Sequence, residues 1–304
     1  MKKSTFLLLA FFWITAAVQA QNPADTAKLW KIKGKASLNF NETYFSNWAA
    51  GGNNAYGAIG KYVMNIDYNK GKVFWTNNIN LALGYSLIGN SKPMKTDDQI
   101  QIYSTYKMQW KKNWLFTVLA SIQTQFANGY NYAVDSTTPI SGFLAPLTVD
   151  LGPGIQFKPD KHLEINFSPV TARVVYVNNQ RLADAGSFGL TPAVTDTAGY
   201  IVKHAHKAYF AFGARLFAKI DYDIAKNVNL KSQLSLFSDY LHNPQNIVVD
   251  WQTLLGMKVN SWLNVDISTQ MLYDDRVMIT DKNGKTGPRL QFKQLLLVGL
   301  SYTF

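Results

Sequence analysis

The residues from Leu263 to Tyr273 separate cleanly by parity. Leu263, Val265, Ile267, Thr269, Met271 and Tyr273 share one face, and Asn264, Asp266, Ser268, Gln270 and Leu272 share the other. The stretch from Ile100 to Trp110 does the same. Ile100, Ile102, Ser104, Tyr106, Met108 and Trp110 oppose Gln101, Tyr103, Thr105, Lys107 and Gln109. A helix would mix these sets, whereas a strand sends alternate side chains to opposite faces. No other feature of the chain narrows its fold as much.

The pattern recurs in about twelve segments, near 31–44, 55–69, 72–88, 98–111, 114–127, 143–157, 162–177, 207–223, 228–240, 246–259, 262–275 and 289–304. Each reaches the ~9–11 residues that a tilted membrane strand needs. Pro169 predicts a bulge in the least regular segment, because a strand tolerates proline at a bulge, and Pro153 in "LGPGIQF" invites the same reading.

The connections alternate in length. Short ones cover 69–72, 111–113, 158–162, 224–227 and 260–262; longer ones cover 45–54, 89–97, 128–142, 178–206, 241–245 and 276–288. Short turns at one rim and longer loops at the other mark an up-and-down membrane barrel. Both ends of the strand array then lie at the short-turn rim, which requires an even strand count.

Alternation alone also fits a soluble sandwich or an extracellular barrel. Three features favour a bilayer: an apolar face on every strand, a polar opposite face, and aromatic residues at strand ends. Trp30, Tyr68, Trp75, Trp110, Trp114, Tyr222, Trp262 and Tyr302 fall near the short-turn rim; Tyr44, Tyr85, Phe126, Tyr240, Trp251 and Tyr273 fall near the other. Such girdles belong to membrane–water interfaces. The expected fold is all-β, a single up-and-down antiparallel transmembrane β-barrel of about 12 strands over 31–304, preceded by a short segment at 21–30.

Residues 1–20 read as a secretory signal peptide. Lys2 and Lys3 precede an apolar core from Phe6 to Trp13, and small residues lead to a cleavage site near Ala20. The formal charge of +11 falls to +9 once Lys2 and Lys3 are removed. With no cysteine, disulfides, thiolate metal sites and a lipoprotein anchor are excluded. No compact Lys/Arg cluster suggests nucleic acid as a partner. The expected location is the outer membrane of a Gram-negative bacterium, with lipid, lipopolysaccharide and the insertion machinery as partners. Leu300, Tyr302 and the terminal Phe304 have the form of an insertion signal, on a strand expected to pair with the first.

Parity places Lys61, Lys107, Asp150, Arg215, Lys219, Asp221, Lys231, Asp250, Lys258, Asp266 and Lys293 on the inner wall. About 8 strands give a filled barrel and ~16–18 an open channel, so twelve lies between. Trp48 in the 46–57 loop and Arg181 and Asp184 in the 178–206 loop are candidate loop or constriction residues. Four histidines limit enzymatic readings: His162 sits in a turn, His204 and His206 lack a carboxylate pair to complete a metal site, and His242 beside Asp239 could form an acid–base pair. The chain reads as a non-enzyme, with no cofactor and no catalytic residue assigned.

"FSNWAAGGNNAYG", "MKTDDQIQIYSTYKMQW", "QTQFANGYNY", "FLAPLTVDLGPGIQFKP", "SPVTARVVYVNNQRLADAGSFG", "LFSDYLHNPQNIVVDWQTLLGMKVN" and "QFKQLLLVGLSYTF" resemble an uncharacterised family of bacterial outer-membrane proteins, the domain of unknown function 3078. The resemblance implies a barrel in a Gram-negative outer membrane and carries no substrate or active residue. The function the residues favour is a channel or uptake pore for small polar solutes. The alternatives are a non-conducting structural or assembly partner and a barrel hydrolase.

Overall fold

A computed structural model describes residues 29–44, 53–280 and 284–304. Twelve strands close into one antiparallel barrel. They are β1 (Trp30–Thr43), β2 (Ala55–Lys70), β3 (Val73–Ile88), β4 (Met94–Lys111), β5 (Trp114–Thr124) and β6 (Leu147–Phe157), followed by β7 (Leu163–Tyr176), β8 (Ala208–Ala225), β9 (Val228–Asp239), β10 (Ile247–Lys258), β11 (Leu263–Tyr273) and β12 (Gln291–Thr303). Every strand pairs with its neighbours in sequence, and β12 pairs with β1 from Lys35↔Thr303 to Phe40↔Val298. Closure leaves no strand edge with unpaired backbone groups, which is the condition for a sheet to cross a bilayer.

The faces divide as parity requires. Ile32, Leu38, Phe40, Leu151, Phe167, Phe210, Leu296 and Val298 all project outward and are exposed, whereas Asn39, Ser121, Asp150, Gln156 and Asn166 are buried inside. An exposed apolar surface of this extent would drive association in water; in lipid it is the solvated face. Aromatic rings gather at the short-turn rim. Trp30 packs on Tyr68 at 5.0 Å and on Trp75 at 6.0 Å, Trp114 on Phe157 at 4.8 Å, and Tyr302 on Phe304 at 6.1 Å.

Pro169 does sit at a bulge. Gly213 of β8 pairs with Thr171 and Arg215 pairs with Ser168, so two residues of β7, Pro169 and Val170, oppose Ala214 alone. Inward parity on β7 switches there, from Asn166 and Ser168 to Thr171, Arg173 and Val175. On the other side β6 is irregular toward β7 between Leu151 and Ile155, around Pro153. Gly152 and Gly154 permit the close approach: a Cβ on either would stand 2.6 Å from a β7 carbonyl oxygen, Val170 and Phe167 respectively.

Two strand starts differ from the sequence expectation. β4 begins at Met94 rather than near 98, which brings Asp97 onto the inner wall. β6 begins at Leu147 rather than near 143, because residues 129–131 and 135–141 instead form a separate two-stranded ribbon above the rim. Between the ribbon and the strand, Gly142 and Ala145 exchange backbone hydrogen bonds at 2.9 and 3.0 Å and Leu144 takes φ of 55°, a turn that stops the alternating run short of Leu147.

The 177–207 connection is a packed cap. Helix Gln180–Asp184 is capped by the Asn179 side chain, which accepts from the Leu182 amide at 3.3 Å. Leu182, Ala183 and Leu190 bury themselves with Ala145, Val175 and Val177, against Phe188, Ala205 and Tyr209. This is a satellite core at the mouth of β6–β8. A long connection survives as ordered structure when it has enough apolar side chains of its own to bury.

Candidate functional site

The inner wall is largely polar, with Leu115, Phe237 and Leu297 among its apolar members, and most of its charges are paired. Deepest is the Asp150 cluster. Asp150 is fully buried, and Arg173 straddles it with Nε–Oδ1 at 2.7 Å and Nη2–Oδ2 at 3.0 Å. Arg215 approaches the same carboxylate at 3.8 Å and donates through Nε to Ser235 at 3.2 Å. The guanidinium of Arg173 also lies 3.9 Å from the Phe237 ring centre. A fork on a carboxylate fixes orientation as well as charge.

Four further groups brace the lumen. Asp97 of β4 takes Lys293 of β12 at 3.1 Å and Lys61 of β2 at 3.9 Å, a contact that spans the interior because β1, β2 and β3 separate β12 from β4. Toward the short-turn rim, Glu164 accepts from Lys158, from Gln156 at 3.0 Å, and faces Lys107 at 3.7 Å. Lys35 meets Asp266 at 4.0 Å, and Lys231 meets Asp221 at 3.6 Å. Lys219 and Lys258, also inward, form no ion pair within 4.0 Å among the described residues.

Beneath the long-loop rim lies a cavity of about 290 Å³. Seven glutamines line it: Gln99, Gln101, Gln123, Gln125, Gln233, Gln252 and Gln270. The wall also includes Tyr103, Phe217, Phe237, Asp250, Arg173 and Arg215. Gln252 and Gln270 both donate to Asp250, at 3.0 Å each, so this carboxylate is held by amides rather than by a cation. From above, the cap supplies Phe188 and the 274–290 connection supplies Arg276. Phe188 has φ of 60°, a conformation that a bulky side chain rarely adopts and that its packing must hold in place. Arg276 is forked onto Asp274 at 2.8 and 3.0 Å and rests 4.6 Å from the Tyr209 ring centre.

The structure thus places all eleven predicted wall charges inward: Lys61, Lys107, Asp150, Arg215, Lys219, Asp221, Lys231, Asp250, Lys258, Asp266 and Lys293. It adds Asp97, Glu164 and Arg173. Arg173 escaped a parity reading because the bulge shifts its face; Pro169 was the available signal. Arg181 and Asp184 do not line the cavity. Arg181 donates to the Pro139 carbonyl of the neighbouring ribbon, and Asp184 ties the cap to itself through Gln180 at 2.8 Å, the Ala205 amide at 2.8 Å and His204 at 2.8 Å. Partial burial works against the charged form of Asp184, but these hydrogen bonds prevail and hold its carboxyl below the usual range. Trp48 lies outside the described residues.

His242 does meet Asp239, at 3.1 Å, and Tyr209 bonds both, at 2.5 Å to Asp239 and 2.8 Å to His242. The trio joins the ends of β8 and β9 at the rim. Among the described residues, no group of three or more His, Asp or Glu side chains could hold a metal ion.

Among solved structures, the chain is similar to the NanC porin, with 11% identity and a TM-score of 0.38 over 88% of this chain and 98% of that one. It is similar to an outer membrane channel from Pseudomonas putida F1, with 10% identity and a TM-score of 0.40 over 93% and 100% of the two chains. It is also similar to the translocator domain of the autotransporter NalP from Neisseria meningitidis, with 10% identity and a TM-score of 0.35 over 99% and 95%. No curated protein matches the chain. The family resemblance carried by its motifs is met at residues 40–130, which match the model of a family described as protein of unknown function (DUF3078).

Proposed function

We propose that this transmembrane barrel is an outer-membrane channel or uptake pore for small polar solutes. The observation that carries the reading is the inner wall: a largely polar lining that holds, under the long-loop rim, the glutamine-lined cavity of about 290 Å³. A barrel needed only as a membrane anchor or scaffold gains nothing from keeping hydrogen-bonding groups free around an internal space, since unpaired polar groups weaken a packed interior. The charge braces of the lumen, in this reading, restrict passage to small solutes. In this reading the signal peptide is cleaved near Ala20, the long-loop rim faces the exterior, and the row Leu300, Tyr302 and Phe304 serves the insertion machinery.

Purified protein in planar bilayers bathed in potassium chloride tests the proposal. Discrete, small conductance steps are expected. Silence at every voltage and pH would overturn it.

A further inference from the structure

The glutamines of the cavity form two ladders. Gln101 of β4 lies directly opposite Gln123 of β5 in register, with Gln99 beside them on the same face. Gln233 of β9, Gln252 of β10 and Gln270 of β11 form an unbroken cross-strand row. Within the closed order, β4 and β10 are six strands apart in a barrel of twelve, so the ladders stand on opposite walls of one lumen. Both line the same cavity.

Their hydrogen bonding differs from that of the charged groups around them. Among the described residues, the side chains of Gln99, Gln101, Gln123 and Gln233 bond to no other side chain or backbone group, while those of Gln252 and Gln270 are oriented by Asp250. Each free amide offers two donors and a carbonyl acceptor. Most charged groups at the cavity are already committed: Arg173 to Asp150, Arg276 to Asp274, Asp98 to Lys95, and Lys293 to Asp97. Apart from Nη1 of Arg215, which has no hydrogen-bond partner, free capacity therefore resides mainly in neutral groups that both donate and accept.

We infer that this chamber is a binding site for a single neutral polyhydroxylated solute of monosaccharide size, gripped between the two glutamine ladders. The inference rests on the pore reading and names its cargo class. Hydroxyls match amides because each both donates and accepts, and adjacent hydroxyls can engage one amide through its N–H and C=O together. Asp250 supplies one charge-assisted acceptor for a hydroxyl, and Phe188 offers an apolar surface for the C–H face of a ring. The volume lies at the small end of ligand-sized cavities, which run ~300–1,000 Å³, so one ring fits and an oligomer does not. An anionic solute would face Asp250, and Arg215, the cavity guanidinium with a nitrogen left unbonded, is already neutralised by Asp150 at 3.8 Å.

Saturation-transfer NMR on the detergent-solubilised full barrel, with D-glucose, D-glucuronate and protonated D-glucosamine at pH 6, tests this. Glucose is expected to bind and to be favoured at least about fivefold over both charged analogues. Gln101→Leu and Gln233→Leu, one per ladder, should each weaken it about fivefold, the scale of one lost hydrogen bond, while Lys258→Ala at the far rim leaves it unchanged. Preference for either charged sugar, or absence of glucose binding to the unaltered protein, would overturn the inference without any variant. Potassium chloride conductance separates the two readings. A conducting barrel indifferent to glucose sinks the cargo class alone, and a glucose-binding barrel that never conducts sinks the pore alone.

Discussion

Single side chains on this wall act as braces before they act on any solute. Asp150 illustrates the energetics. It is the shared anion for Arg173 and Arg215, whose side chains are only 10% and 4% exposed. Removing one member of a buried charge cluster leaves the others uncompensated, at a cost of about 3–5 kcal/mol. Asp150→Asn should therefore destabilise the barrel by that order, seen as a lower unfolding temperature in detergent. A variant as heat-stable as the original would mean that Ser235 and solvent already satisfy the two guanidiniums. The positions of these residues were partly legible in advance. Alternation alone put Asp150 and Arg215 inside, since side-chain direction on a strand depends only on residue count. Arg173 was not, because one extra residue at Val170 reverses that count.

At the scale of the strand, β7 carries a bulge in mid-strand that separates local pattern from final placement. Its bulge inserts one residue between two regular halves, each of which alternates correctly. Deleting Val170 should leave Ser168 and Thr171 inward with one residue between them, keep Arg173 on Asp150, and permit assembly. Deleting Leu255 from β10, where no spare residue exists, must turn either Asp250 and Gln252 or Lys258 toward lipid, at ~0–1 kcal/mol for a lysine this near the interface and more for a charge deeper in the bilayer. Folded yield and heat-resistant electrophoretic mobility distinguish the two deletions; equal failure of both would show that the bulge is needed for more than its extra residue. The sequence marks 178–206 as a long loop that could cap or constrict the barrel, with Arg181 and Asp184 as candidate constriction charges; it packs as a cap, and neither residue lines the cavity. Its length and its Leu182, Leu190 and Phe188 were visible, but their common burial depends on Val175 and Val177 at the end of β7.

Across the whole molecule, the seam between β12 and β1 decides whether there is a barrel. Gly34 and Phe304 exchange backbone hydrogen bonds at 2.9 and 3.0 Å, and the Phe304 ring lies over Gly34 so closely that a Cβ there would stand 2.1 Å from the ring. Tyr62 of β2 flanks the same ring at 6.3 Å. Gly34→Val should displace Phe304 and destabilise closure by about 1–3 kcal/mol, the usual cost of overpacking. Removing Phe304 should impair assembly in the same way, and normal insertion and heat stability of both variants would mean that the seam closes without this contact.

Period-two alternation, strand lengths that match a bilayer and connections of alternating length were enough to establish a twelve-stranded transmembrane barrel with a polar interior. These are local properties: each follows from the pleat and from how many residues cross the membrane. Which inner residues meet is a different matter. Lys293 reaches Asp97 across three intervening strands, and the ladder of Gln101 and Gln123 faces that of Gln233, Gln252 and Gln270, only because closure brings distant strands to opposite sides of one lumen at matching heights. Parity gives each residue its face and has no means of giving its height against a strand half a barrel away; register and closure set that height, and with it the chemistry of the chamber.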